Sequence, residues 1–438
     1  MMERKQIHSK AFLIFTVLAV VTLPYSIKWC SAAIALLTFN WLLEGDFNHK
    51  WQQIKKNRLI WLFSVLYILH VLGLLFTQDT ANGLFNLEKK LSLFIFPVVL
   101  GTSRVLSDKE IKIILDAFIL TCFGAVLISI SYALFGPKPT DPVHLNFDYL
   151  NQEKFLNAFS GPTETWSMIS YIGLGTIIQL HPTYFSLYIA FSISLLAFRH
   201  YGTFQYHSIF KKVLLIIMLL CLITTLIFLS SRIMLLSFLM LVFFVSGFLI
   251  IRPGSHFKGV VFSIAIVLFV VLMIFINPVT HFRFIQEPLN TGFSYPETAT
   301  GWNSWNLRVL EWRSSWNIVR ENWLVGVGTG DVSAALDKEY DTVDLHIFDM
   351  RLNAHNQYLQ TALALGLIGA SILVLTFIKP AYAAFKEQAG LYLTFIFLIA
   401  MCCLTESMLE TQKGVVFYSF FNSLLIFQVY HQKFKKYA

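Results

Sequence analysis

"NAHNQYLQTALALGLIGASILVLTFI", residues 353–378, puts a histidine and two asparagines directly ahead of a long apolar run. A helix needs roughly 17 to 25 mainly apolar residues to cross about 30 Å of hydrocarbon, and 356–378 meets that length. Comparable runs recur at about 11–27, 29–43, 59–76, 84–100, 111–135, 183–198, 213–230, 232–251, 259–277, 390–410 and 414–430. The run at 84–100 contains Glu88, Lys89 and Lys90. The chain is 56% hydrophobic and 13% charged, against about 25% charged in soluble domains. The expected fold class is therefore an all-α integral membrane protein with twelve transmembrane helices.

The formal net charge of +8 raises nucleic acid as a partner, but its distribution reports topology instead. Arg4, Lys5 and Lys10, then Lys50, Lys55, Lys56 and Arg58, and later Lys433, Lys435 and Lys436 fall on one side of the predicted spans. The short turns on the other side, near 24–28, 77–83 and 409–413, hold only Lys28 and Lys413. The positive-inside rule then sets both termini in the cytoplasm. The first run follows basic residues as a signal peptide would, but a second run begins at once, so it reads as an uncleaved helix. Cys30, Cys122, Cys221, Cys402 and Cys403 lie in apolar runs, without metal-ligand spacing or an extramembrane pair.

Two segments break the hairpin rhythm, both on the outer side in this topology. The organisation is 1–277 (helices one to nine, with an outer loop near 136–182), 278–355 (a large outer loop) and 356–438 (helices ten to twelve). In the first loop, "FGPKPTDPVHLNFDYLNQEK" is turn-rich and "TWSMISYIGLGTIIQL" has the character of a re-entrant or interfacial helix. In the second, Trp302 is followed by Trp305, Trp312, Trp316 and Trp323, spaced 7, 4 and 7 apart, one face of an amphipathic helix. Arg308 projects from that face, while Glu311, Arg313 and Glu321 point elsewhere.

The same topology gathers Arg232, Arg308, His355, Glu406 and Glu410 on the outer face. Arg232, between apolar runs, reads either as a residue snorkelling to headgroups or as a fork for phosphate oxygens. Arg308 is equally readable as a solvated helix charge. With Asn353 as N-cap, His355 falls in the first helical turn, where the dipole disfavours protonation and leaves a neutral base; a purely structural helix-start residue is the alternative. Glu406 and Glu410 share a helix face and either hold an arginine or are wet helix-end carboxylates. "GVGTGD", 326–331, lacks the Lys-Ser/Thr of a P-loop and reads as a tight turn. No HExxH or paired-Cys pattern suggests a metal.

In order, "SSR" (230–232), Arg308, "SSWNIVRENWLVGVGTGD" (314–331) and "NAHNQYLQTALALGLIG" (353–369) resemble the core pattern of the O-antigen ligase and polymerase superfamily. The rest of the chain agrees in helix count and hydropathy. The resemblance implies a glycosyltransferase-C-like membrane enzyme of the bacterial inner membrane, with its site facing the periplasm. It would move a glycan from an undecaprenyl-diphosphate carrier to lipid A-core oligosaccharide or another acceptor, using no nucleotide, metal or other cofactor. His355 matches the catalytic histidine, Arg232 and Arg308 the diphosphate-binding arginines, and Asn356 and Glu406 join them as substrate-binding candidates; His181 is a candidate supporting group. The large loop must then fold back so that both arginines meet His355. Within the superfamily a polymerase or a protein O-oligosaccharyltransferase stays open. From another class, a secondary transporter is disfavoured because the charges gather at one face instead of the bilayer midplane.

Overall fold

The computed structural model describes residues 2–136, 164–200, 202–251, 256–289, 304–341 and 352–435. Trp302, residues 137–154 of the turn-rich stretch and parts of the predicted 278–355 loop lie outside the described residues. All regular structure among the described residues is helical, and each of the twelve predicted runs is at least partly so. Among the described residues, six helices are long and apolar enough to cross a membrane: Arg4–Thr22, Arg58–Phe76, Asp108–Phe135, Ile209–Phe228, Gly259–Ile276 and Gln357–Lys386. Shorter apolar helices span Arg232–Gly247 and Gly390–Cys402.

The 84–100 run departs from expectation. It is two helices, Thr80–Lys90 and Ser92–Thr102, because Lys90 turns inward to a carboxylate instead of lying within one span. The predicted 390–410 span ends at Cys402, so Glu406 and Glu410 share no helix face. Glu406 lies in an irregular segment, and Glu410 in a single 3-10 turn, Met408–Glu410.

The chain divides into two compact units. In the unit of residues 1–118 and 307–438, helices Ser92–Thr102 and Gln412–Leu424 pack through aromatic rings. Phe421 meets Phe118, Phe417 and Phe420 at centroid distances of 4.7, 5.1 and 5.0 Å, and Phe96 meets Phe420 at 5.2 Å. Lipid tails are as apolar as these side chains, so close packing and edge-to-face ring geometry hold the helices together more than exclusion of water does. In the unit of residues 119–306, the Pro182–His200 helix is buried on every side over most of its length, with Phe185, Leu187, Tyr188, Ile189 and Phe191 wholly enclosed. The "TWSMISYIGLGTIIQL" stretch is two short helices, Glu164–Met168 and Tyr171–Thr176, with Leu174, Ile178 and Leu180 buried.

One device in the first unit sets the position of everything near His355. The Gln357–Lys386 helix is interrupted at Gly366, whose φ of 65° and ψ of −169° free carbonyls from the helical ladder. Backbone groups left unpaired at membrane depth cost several kcal/mol each. "GVGTGD" supplies the missing donors: Val327 N–H bonds the Leu363 carbonyl (2.8 Å) and Gly328 N–H that of Ala364 (3.2 Å), while Leu367 N–H reaches the Trp323 carbonyl (2.8 Å). Its far end is clamped by Asp331, whose carboxylate accepts from Gln78 and Asp79 N–H at 2.7 and 2.8 Å. The tight turn is therefore filled by its own protein, as expected, and its spare donors go to backbone.

A Cβ on Gly366 would collide with the Leu324 carbonyl in a left-handed conformation. Gly366→Ala should lower the melting temperature of the detergent-solubilised protein by several degrees, the effect of about 1 to 3 kcal/mol of strain. Gly247→Ala, with open space at the new methyl, should leave it unchanged.

Lys90 Nζ lies 2.5 Å from Glu410 Oε2, with the lysine side chain 1% exposed. Removing one member of such a pair strands a buried charge at about 3 to 5 kcal/mol, whereas replacing both is far milder. In the same melting assay, Glu410→Leu should be more harmful alone than combined with Lys90→Met.

Candidate functional site

The Ser304–Glu321 helix is amphipathic, but with its faces assigned otherwise than the tryptophan spacing suggests. Its buried side carries Leu310, Glu311, Ser314, Ser315, Ile318 and Val319, whereas Trp305, Trp316 and Trp323 are exposed. Glu311 thus points inward, not away. A helical step of three residues sets Arg308 and Glu311 on adjoining turns facing the same neighbours.

Those neighbours are His355 and Glu406. Arg308 Nη1 donates to the Thr405 carbonyl at 2.6 Å and to the His355 carbonyl at 3.4 Å, and Nη2 to Glu406 Oε1 at 3.2 Å. The imidazole stands between two carboxylates: Nδ1 is 3.5 Å from Glu406 Oε2, and Nε2 is 3.8 Å from Glu311 Oε1. The side chains of Glu311 and Glu406 are 1% and 6% exposed, against 22% for His355. The site is therefore a partly open histidine backed by sequestered negative charge and one guanidinium.

His355 does not occupy the first turn. Asn356 is the N-cap, its Oδ1 accepting from Tyr358 and Leu359 N–H, and His355 precedes it with φ of 38°. Asn353 instead accepts from the His355 N–H at 2.8 Å. The expected neutral imidazole is corrected with it. Burial opposes the imidazolium, Glu311 favours it, Arg308 repels it and Glu406 favours it again; the net effect holds His355 above its ordinary value. Two sequestered carboxylates outweigh burial, the arginine and any helix-end field.

The surrounding backbone is pinned. Gln357 N–H donates to the Cys403 carbonyl (2.8 Å), its side-chain oxygen accepts from Leu409 N–H (2.6 Å), and Tyr358 OH donates to the Ala400 carbonyl (3.0 Å). Glu410, anchored on Lys90, closes this segment on its far side. Burial works against its ionisation, but Lys90, His70 and Lys89 hold its carboxyl below the usual range. Glu410 is thus an internal counter-ion, not a wet helix end. Among the described residues, no group of three His, Cys, Asp or Glu side chains is placed to hold a metal ion.

Arg232 belongs to the other unit, 119–306. Its Nε and Nη2 donate to the Arg283 carbonyl at 3.1 and 2.7 Å, and Nη2 pairs with Glu287 at 2.6 Å. Its guanidinium also lies 5.6 Å from the Trp305 ring centre. In the same unit, His181 Nδ1 accepts from Thr183 N–H at 3.3 Å, capping the Pro182–His200 helix. Sequence reasoning missed Arg283 and Glu287 altogether, noted Lys90 inside an apolar run without its partner Glu410, and misdirected Glu311. A charge inside an apolar run was the available signal for Lys90; the others sit in the long predicted outer loop, where a single charge looks solvated.

Residues 217–374 match the family model described as O-antigen ligase. Comparison with curated proteins gives no match. The matched segment holds Arg232, Arg308, Glu311 and His355, and stops short of Glu406. Over residues 217–374 this membrane protein is thus similar to the O-antigen ligase family.

Proposed function

We propose that this protein transfers a glycan from an undecaprenyl-diphosphate carrier to lipid A-core oligosaccharide at the periplasmic face of the bacterial inner membrane. The observation that carries the reading is the partly exposed His355 held between buried Glu311 and Glu406 with Arg308 alongside. His355 takes the proton of an acceptor hydroxyl as that oxygen bonds to the anomeric carbon, and the carbon–oxygen bond to the diphosphate breaks. The leaving lipid diphosphate takes up the bonding pair, and Arg308 meets the charge that grows on it. Arg232 is assigned diphosphate binding within its own unit. Asn356, beyond its capping role, and Glu406 are assigned acceptor or donor contacts.

Glu311 and Glu406 are positioning residues. They orient the ring and raise its proton affinity, so His355 is a stronger base that is neutral over a higher pH range. Direct displacement inverts the anomeric centre, and a diphosphate leaving group supplies the driving force without a metal. The acceptor separates this reading from its relatives.

His355→Ala should abolish transfer from purified lipid-linked donor to lipid A-core, assayed with EDTA and no nucleotide; an active variant would sink the assignment. Deleting the gene should leave free core and accumulated lipid-linked polymer on a lipopolysaccharide gel. Core bearing a single repeat would mean a polymerase instead.

The pH dependence follows from the same charges. Because His355 must lose its proton to act, kcat should rise with pH through an ionisation above the ordinary imidazole value. Glu311→Gln removes one carboxylate that favours the imidazolium, so the acid limb of the kcat–pH profile should move to lower pH. An unmoved limb would exclude Glu311 as the group that tunes His355.

A further inference from the structure

In the unit of residues 119–306, Arg283 is 9% exposed and lies over Tyr171, its guanidinium carbon 3.6 Å from the ring centre. Its Nε is buried without a hydrogen-bond partner, while Glu287 on the next turn is paired with Arg232. Arg283 thus holds a buried guanidinium with no carboxylate among the described residues paired to it, in a protein whose interior makes uncompensated charge costly.

The geometry is built, not incidental. Arg283 lies in a π-helical turn, Phe282–Gln286, a distortion that recurs at functional sites. One contact holds that turn and two hold the short helix leading into it: Arg232 grips the Arg283 carbonyl, Asn277 Nδ2 donates to Ser170 Oγ at 2.7 Å, and the Ser230 and Thr280 hydroxyls lie 3.1 Å apart. Tyr171 fixes the plane of the guanidinium, so its donor edge is presented with little rotamer freedom left to lose. Arg232 has Nε and Nη2 committed to this scaffold, whereas Arg283 uses only its ring-facing surface.

We infer that Arg283 is a binding residue for a diphosphate ester, receiving the phosphate oxygens beside Arg232. The inference rests on the proposed function for the identity of the ester and on the local geometry alone for the anion. A stacked guanidinium offers parallel N–H donors that match phosphate oxygens, and Arg232 adds a second positive charge behind it.

Binding to the purified full-length protein in detergent tests this, with geranyl diphosphate, inorganic pyrophosphate and geraniol as probes and phosphatidylglycerol vesicles as the competing source of phosphate. Both diphosphates should bind and geraniol should not. Arg283→Gln should weaken both by at least about tenfold, the usual worth of a charged hydrogen bond. Arg283→Lys, which keeps the charge but loses the fork, should weaken them less and remains informative if the glutamine variant does not fold. Arg320→Gln, at an exposed arginine, should change nothing.

Equal binding by wild type and Arg283→Gln would overturn the inference, as would binding confined to phosphatidylglycerol vesicles. Arg283-dependent diphosphate binding in a protein that transfers no glycan would overturn the proposed activity and leave this site standing. Normal transfer, with donor KM unmoved by Arg283→Gln, would do the reverse.

Discussion

A helix that breaks inside a membrane must find hydrogen-bond partners for the groups it releases, and the rest of the His355 unit is arranged around how this is done. Gly366 opens the Gln357–Lys386 helix, and the Trp323–Gly328 segment closes the ladder with Val327, Gly328 and the Trp323 carbonyl. That segment follows the Ser304–Glu321 helix by only a few residues. Satisfying the backbone at Gly366 therefore fixes where the helix bearing Arg308 and Glu311 must end. It also seats the start of the broken helix, where Asn356 caps and His355 precedes, against the Cys402–Glu410 segment.

Electrostatics then decides the character of the site. Arg308 and two buried carboxylates form a set around His355 in which each charge has an opposite neighbour. The imidazole and the guanidinium are the partly exposed members, at 22% and 27% of their side chains against 1% and 6% for the carboxylates. A histidine at a bare helix start would lean neutral, whereas one backed by Glu311 and Glu406 is a stronger base. Lys90 and Glu410 repeat the logic one turn away, where a buried pair holds the segment that presents Glu406.

Much of this was legible in the chain. Apolar runs of spanning length, the tight glycine turn and the ordered arginines and histidine each follow from local composition or spacing, which need no knowledge of the fold. The failures have a common cause. The tryptophan spacing correctly called a helix but not which side faces protein, since periodicity defines a face and only packing assigns it. Glu311 was sent outward for that reason, and Glu406 and Glu410 were put on one helix because the apolar run does not reveal that the helix stops at Cys402.

By itself the sequence determined a helical membrane protein with charge held back from its spans, because hydrocarbon length and the cost of exposed backbone leave few other solutions. It also determined which histidine and arginines stand out, because polar groups bordering long apolar runs are conspicuous. Only the tertiary structure decided that His355 lies ahead of its helix between two carboxylates, that Glu410 belongs to Lys90, and that Arg283 lies over Tyr171 with its Nε buried and unbonded. Those are encounters between residues up to 320 positions apart, and long-range contacts of single side chains leave no periodic mark in the chain.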